Sequence, residues 1–311
     1  MADFQVATTS NLKPKAESGI LSKKIYFTGP YHRQQWSLPD SIMHYIAKNP
    51  STSKCYQKMV QNCKYFYIKN PIIIVSFMYE KNDKWQIKLG DESREISNNI
   101  TSKLWIAKMF VCYNSVKQNF VTSVIPKIYR CDAYRIKLKN QIIAFNDHVF
   151  ISLAAKRIIY RDIVVKNDDG SDVAFEKLVE TLPKMKTITY KHGNSLSNIT
   201  SATFKELLKI PHFSKLNSLY LENIPEVFDL DAFYGYVKQN KLVQFNLEFH
   251  DSISDAYKNR LEEIIDEILS AKKHDYMPPL IHYSGLDEVK CIKLFGIYCL
   301  KIYFFNIHPF A

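Results

Sequence analysis

The six cysteines and nine histidines of this 311-residue chain are its side chains best suited to metal, redox or nucleophilic chemistry, and their spacing points to none of it. Cys55, Cys63, Cys112, Cys131, Cys291 and Cys299 form no C-x-x-C pair, and no histidine pair stands at zinc-finger spacing. No metal site and no cofactor is therefore expected, and the thiols read as small buried hydrophobes. Neither H-E-x-x-H nor G-x-S-x-G occurs. The eight glycines are too far apart for G-x-G-x-x-G or G-x-x-x-x-G-K-[ST], the loops that cradle phosphates. Glu262, Glu263, Asp266 and Glu267 read as a solvated helix face, not as a carboxylate pair in a pocket. No catalytic residue is expected.

Charge is the chemistry that is left. The formal net charge is +11, yet acids outnumber bases between Leu221 and Lys290. The basic excess is thus concentrated in the remainder. Its lysines are scattered, with no run of five or more, so no nucleic-acid partner is expected. The apolar tail Cys291–Ala311 is interrupted by Lys293 and Lys301, leaving too short a run for a bilayer of ~30 Å, so no membrane partner is expected either. Met1–Ser10 carries no apolar run, which predicts no secretory leader, reduced thiols and a cytoplasmic or nuclear location.

Folded elements must hold those charges, and a 46% hydrophobic content suffices for a sizeable core. At the front, Gln35–Pro71 reads QWSLPDSIMHYIAKNPSTSKCYQKMVQNCKYFYIKNP, two short amphipathic helices bounded by prolines. Pro39 suits a first turn, Ser37 is a predicted cap, and Asp40 favours the positive end of the helix dipole. Ile42, Met43 and Ile46 share one face, and Asn49-Pro50 stops the helix. Ser51, Thr52 or Ser53 caps the second helix, whose stripe is Cys55, Met59, Val60, Cys63 and Phe66 before the stop at Asn70-Pro71. Helices this short cannot bury both stripes against each other, so the rest of the chain or a partner must help.

Leu38-Pro39-Asp40 followed by Ile42, Met43 and Ile46, a break, and Cys63-Lys64-Tyr65-Phe66 resembles the F-box, in the divergent form of nematode proteins that carry Lys-Asn-Pro after the second helix. The linker Asn49–Ser53 departs from the usual Leu-Ser-x-x-Asp-Leu, and Tyr65-Phe66 stands where tryptophan is common. The resemblance implies docking on a Skp-type adaptor of a cullin–RING ubiquitin ligase. It makes Leu38, Pro39, Ile42, Met43 and Met59 the adaptor-binding candidates.

Next, Ile72–Val75, Trp85–Leu89 and Leu104–Tyr113 read as strands, with Lys81-Asn82-Asp83 as a hairpin turn. From Ala133 the pattern apolar-x-x-apolar-x-apolar recurs at intervals of 22 to 31 residues. It occurs at Ala133/Ile136/Leu138, Ala155/Ile158/Tyr160, Met185/Ile188/Tyr190, Leu216/Leu219/Leu221 and Leu242/Phe245/Leu247. Between these strands, helices are predicted with Asp172, Thr200 or Ser201, Asp231 and Ser254 as caps. The last carries the stripe Leu261, Ile264, Ile265, Ile268 and Leu269. A strand and a helix every 20 to 30 residues or so resembles the leucine-rich-repeat class, whose units stack because none can bury its own apolar face. A plain α/β domain with parallel strands has the same periodicities. Eight residues beyond each of the last three template starts stand Gly193, Ile224 and His250, so no asparagine ladder is expected in the turns.

The expected architecture is α/β: a short helical F-box-like module followed by an irregular leucine-rich-repeat-like βα solenoid. The expected divisions are a disordered arm at 1–30, the F-box-like module at 31–71, a β-rich linker or cap at 72–130, the solenoid at 131–290 and the apolar tail at 291–311. On the open strand face, Arg135, Lys137, Arg157, Ile159, Arg161 and Tyr220 are the substrate-binding candidates. That face grades from basic to acidic, so the expected protein substrate carries an acidic segment. The functional expectation is a receptor that presents this substrate to the ligase. The alternatives are a repeat-containing interaction scaffold without a ligase link and, behind it, a basic nucleic-acid binder.

Overall fold

A computed structural model describes residues 35–96, 100–192, 198–240 and 242–307, the last five by their backbone alone. The expected disordered arm and the final residues of the apolar tail lie outside these. The strands are Ile72–Lys81 (β1), Lys84–Leu89 (β2), Glu92–Glu95 (β3), Lys103–Cys112 (β4), Ile128–Cys131 (β5), Arg135–Ala144 (β6), Arg157–Lys166 (β7), Thr187–Lys191 (β8), Ser218–Ile224 (β9), Gln244–Phe249 (β10) and Leu280–His282 (β11). They form one sheet in the order β11-β10-β9-β8-β7-β6-β4-β1-β2-β3, with β5 beside β4. From β11 to β1 every neighbour is parallel, whereas β1, β2 and β3 form an antiparallel meander. Asn82 and Asp83 both take positive φ between β1 and β2, as a tight two-residue hairpin requires. The molecule is thus mixed α/β on a large, mostly parallel sheet. The segments expected as separate cap and solenoid are parts of that one sheet, because β4 pairs with both β1 and β6.

Alternation explains the layers. Ile136 and Leu138, Ile158 and Tyr160, Ile188 and Tyr190, Leu219 and Leu221, and Phe245 and Leu247 are buried on one side. They share one core with the helices Phe120–Val124 (α4), Phe145–Ser152 (α5), Phe175–Glu180 (α6), Thr203–Leu208 (α7), Leu230–Gln239 (α8), Asp255–Ser270 (α9) and Glu288–Ile307 (α10). Ser254 caps α9 as expected, accepting from the Tyr257 amide. The other caps differ. Asp229, not Asp231, accepts from the Ala232 amide at the start of α8, while Asp231 holds Arg260 at 2.8 Å. Asp172 lies short of α6 and pairs with Lys166 at 2.6 Å. The cap of α7 is Ala202, without a side-chain bond. Helix α5 was not foreseen, because its buried His148 and Ser152 break the apolar stripe. Helix α10 takes in most of the apolar tail: Leu294 is buried and Lys290 reaches Glu262 and Asp266 on α9. Among the described residues, no helix is long and apolar enough to cross a membrane.

The turns hold a second correction. Asn140, Asp162 and Asn223 take positive φ at seven residues from their template starts, one earlier than the position read from the sequence. Strand register aligns Asn140 with Asp162. The Asn223 amide donates to the carbonyl of His192, the corresponding residue of the intervening unit. Asn and Asp tolerate the left-handed region, so these units do have a recurrent polar bend.

The front segment folds as the first three helices, Asp40–Lys48 (α1), Ser53–Asn62 (α2) and Lys64–Lys69 (α3), called F1, F2 and F3 as members of the front module. The second expected helix is broken at Cys63, whose backbone is extended. Thr52 is the F2 cap, accepting from the Cys55 amide at 3.1 Å. Pro39 occupies the cap position of F1 without a side-chain bond, so Ser37 does not cap.

Candidate functional site

Met43, Ala47 and Phe66 make the inner core of the front module, with Trp36, Ile46, Met59, Val60, Cys63 and Tyr65 packed around them. Two of the expected adaptor residues therefore hold the module together: Met43 is 6% exposed and Met59 half-buried. The others face solvent, with Leu38 46% and Ile42 45% exposed and Pro39 also exposed. Tyr45, which the sequence reading passed over, is exposed as well. Ile42 and Tyr45 lie one turn apart on the same side of F1, and Leu38 is exposed just before that helix begins; these three are the module's solvent-facing apolar ledge. The signal for Tyr45 was its position three residues after Ile42.

The module is fastened to the sheet by an arrangement no local pattern reveals. Tyr56 of F2 is buried with Ile72 and Trp105. Its hydroxyl donates to the Asn70 carbonyl and accepts from the Ile72 amide at 3.2 Å. The Asn70 side-chain amide donates to the carbonyls of Ala47 and Lys48 at 3.0 and 3.3 Å, tying the end of F3 to the end of F1. From the sheet side, Tyr129 donates to the Lys48 carbonyl at 3.1 Å and Arg130 to that of Ser51 at 3.3 Å. Arg130 also lies 5.0 Å from the Trp105 ring centre, and Asp132 accepts from both Trp105 and Arg130 at 2.8 Å.

On β4, Leu104, Ile106, Phe110 and Cys112 belong to the helix-side core. Trp105, Met109 and Val111 therefore project from the opposite face. The module covers the Trp105 end of that face, and among the described residues nothing else is packed over it. In register, the open face has three rows. One is Met109–Arg135–Arg157–Thr187–Ser218–Gln244, and the second is Val111–Lys137–Ile159–Thr189–Tyr220–Asn246. The third is Lys139–Arg161–Lys191–Glu222–Glu248–His282.

Arg135, Lys137, Arg157, Ile159 and Arg161 are thereby brought together on β6 and β7, while Tyr220 lies two strands beyond β7. The Tyr220 hydroxyl donates to Glu248 at 3.0 Å, and burial, reinforced by that carboxylate, pushes it up to about 12. It belongs to the acidic end. Lys191 pairs with the buried Glu222 and marks the boundary. Arg135, Lys137, Lys139, Arg157 and Arg161 have no carboxylate partner among the described residues. Instead, Lys137 lies 3.6 Å from the Tyr113 ring centre, with Lys139 and Arg161 at 5.6 and 5.9 Å. Burial, then the charges of Arg161 and Arg135, lower the Lys137 pKa. The buried Nε of Arg161 lacks a hydrogen-bond partner. Beside this cluster, Phe77, Tyr79, Met109 and Val111, with Met78, Lys88 and Ser93, line a shallow, largely apolar depression of about 390 Å³.

The remaining reactive side chains are placed apart from this face or tied up. Cys112 and Cys131 are buried, and burial pushes both thiols up to about 12. Cys55 and Cys299 are exposed, contrary to the expectation of six buried thiols. Among the described residues, no group of three or more His, Cys, Asp or Glu is placed to hold a metal ion. Glu262 and Asp266 hold Lys290, Glu263 holds Arg260, and Glu267 holds Lys238. No protein-family model, curated protein or solved structure matches the chain.

Proposed function

We propose that the chain is an F-box-like substrate receptor: its front helices dock on a Skp-type adaptor, and its open sheet face presents a protein substrate to a cullin–RING ubiquitin ligase. The observation that carries this reading is the ledge of Leu38, Ile42 and Tyr45. It remains exposed on a module whose inner side is already filled and whose other side is fixed to the sheet. Clustered apolar side chains left in water are the mark of a surface that meets a partner. The resemblance of Leu38-Pro39-Asp40 and Cys63-Lys64-Tyr65-Phe66 to the F-box names the partner class. The strand–helix succession from β6 to β11 is read as an irregular leucine-rich-repeat-like array, with the basic rows of β6 and β7 as its substrate end. In this arrangement the receptor contributes proximity, and bond-making belongs to other subunits.

The test is co-precipitation of a purified Skp-type adaptor with the full chain and with Leu38→Asp. The expected outcome is capture by the parent chain and a loss of affinity of roughly thirtyfold or more in the variant, as for a hot-spot side chain. Because Leu38 is exposed, its replacement should shift unfolding by no more than about 0.5 kcal/mol. A folded parent chain that ignores the adaptor, or a variant that binds it equally well, overturns the reading and leaves an interaction scaffold without a ligase link.

A further inference from the structure

We infer that the open face between β1 and β7 receives an extended acidic peptide segment in which one bulky apolar side chain stands beside two or more carboxylates. The apolar side chain occupies the depression lined by Phe77, Tyr79, Met109 and Val111, and the carboxylates lie over Arg135, Lys137 and Arg157. This rests on reading the face as the substrate surface and is independent of the adaptor.

Three observations carry it. First, the two subsites are contiguous: Met109 and Val111 are the register partners of Arg135 and Lys137. Adjacent strands are about 4.8 Å apart, so the nearest cations stand roughly 5 and 10 Å from the depression, within reach of side chains one to three residues from the apolar one. Second, the cations are left without carboxylates by the described part of the molecule, although Lys191 in the next strand is neutralised by Glu222. Crowded like charges across paired strands repel, so a partner's carboxylates lower the energy of the face as well as their own. Third, Lys137, Lys139 and Arg161 gather around the Tyr113 ring at 3.6, 5.6 and 5.9 Å from its centre, so the positive charge of the face is concentrated at one place.

The layout favours a short acidic peptide over a nucleic acid. The cations span β6 and β7, with the apolar depression on one side and Glu222 and Glu248 on the other. A regular polyanion would run from the basic strands onto those carboxylates or onto apolar surface. A peptide with one apolar residue and a few acids matches the sequence of surfaces.

The experiment measures fluorescence anisotropy of labelled peptides with the full chain at about 0.15 M salt, where surface charge is screened beyond ~8 Å. One peptide carries phenylalanine beside three glutamates, a second has that phenylalanine replaced by serine, and a third has the glutamates replaced by glutamines. A single-stranded oligothymidine is the fourth probe. The first peptide should bind at least about tenfold more tightly than the second, third and fourth, as a charge-assisted and apolar pair of contacts would produce. The double variant Lys137→Gln, Arg157→Gln should lose about tenfold of that affinity. Met109→Gln should erase the preference for phenylalanine while keeping that for glutamate. Unchanged melting temperatures confirm that the variants fold. Equal affinity for the three peptides, binding of none, or tighter binding of the oligonucleotide overturns the inference. Adaptor co-precipitation by the same variants reports separately on the docking module, so failure of one leaves the other readable.

Discussion

Met43, Ala47 and Phe66 are the buried centre of the front module, whereas helices α4 to α10 and the sheet share one continuous core running from Val75 to Leu294. The two regions present two kinds of surface. The sheet hides most of its apolar residues under helices on one side and on the other offers charge beside one apolar depression. The module is too small to do this, since short helices gain their stability from tertiary packing. It uses its inner face for itself, lends Tyr56 to the sheet and leaves Leu38, Ile42 and Tyr45 in water. An exposed apolar residue on the module therefore signals a partner more strongly than a lone exposed one on the sheet's helices, such as Leu208.

The sharpest way to break this comparison is Trp105→Ala. Removing a fully buried tryptophan should cost ~3–5 kcal/mol. If the module depends on the sheet, amides of the front helices should lose hydrogen-exchange protection before those of β7. Equal loss throughout would mean that module and sheet form one cooperative unit.

A second experiment probes the sheet region alone. His148 is buried, its ring nitrogens bonded to Thr181 and Tyr160 at 3.1 and 3.2 Å, and burial lowers its pKa to about 4. The unfolded chain, with an ordinary histidine, binds more protons between the two values. The stability is thus complete above pH ~6.5 and is lost as the pH falls towards 4, by about 3 kcal/mol. Urea midpoints at neutral and acid pH should converge between the parent and His148→Gln as the pH drops. A constant gap between them would show that His148 does not carry this dependence. The smallest expected effect is Tyr56→Phe, which removes a hydroxyl serving Asn70 and Ile72 and should cost about 1–2 kcal/mol. That loss should appear first as faster exchange in F3. A shift confined to α9 would contradict the fastening described here.

Much of the sheet was legible because its strands follow local rules. Ile136 and Leu138, or Leu219 and Leu221, alternate with polar residues, and register then follows from pairing like with like. The open-face candidates of β6 and β7 were legible for the same reason, being the residues between the buried ones. Helix starts fared worse. Asp172, Thr200 and Asp231 are all good capping residues, but where a cap falls is decided by where the preceding loop meets the core. The break at Cys63 was hidden because Cys55, Met59, Cys63 and Phe66 keep helical spacing across it. The Tyr56–Trp105 fastening and the depression at Phe77 and Met109 arise from strands distant in the chain. β4 entering between β1 and β6 is a fact of topology that no window of sequence contains.

That insertion has a further consequence. Trp105 and Met109 project from the same side of β4, four residues apart, which is roughly 13 Å along a strand. The front helices thus stand as a wall at one end of the tray that holds the depression, and the helix layer closes the reverse side. A visitor settling over Met109 must lie alongside those helices. Two bodies held by this chain, one on the ledge and one on the tray, would be close neighbours, and the shape of either would limit the size of the other.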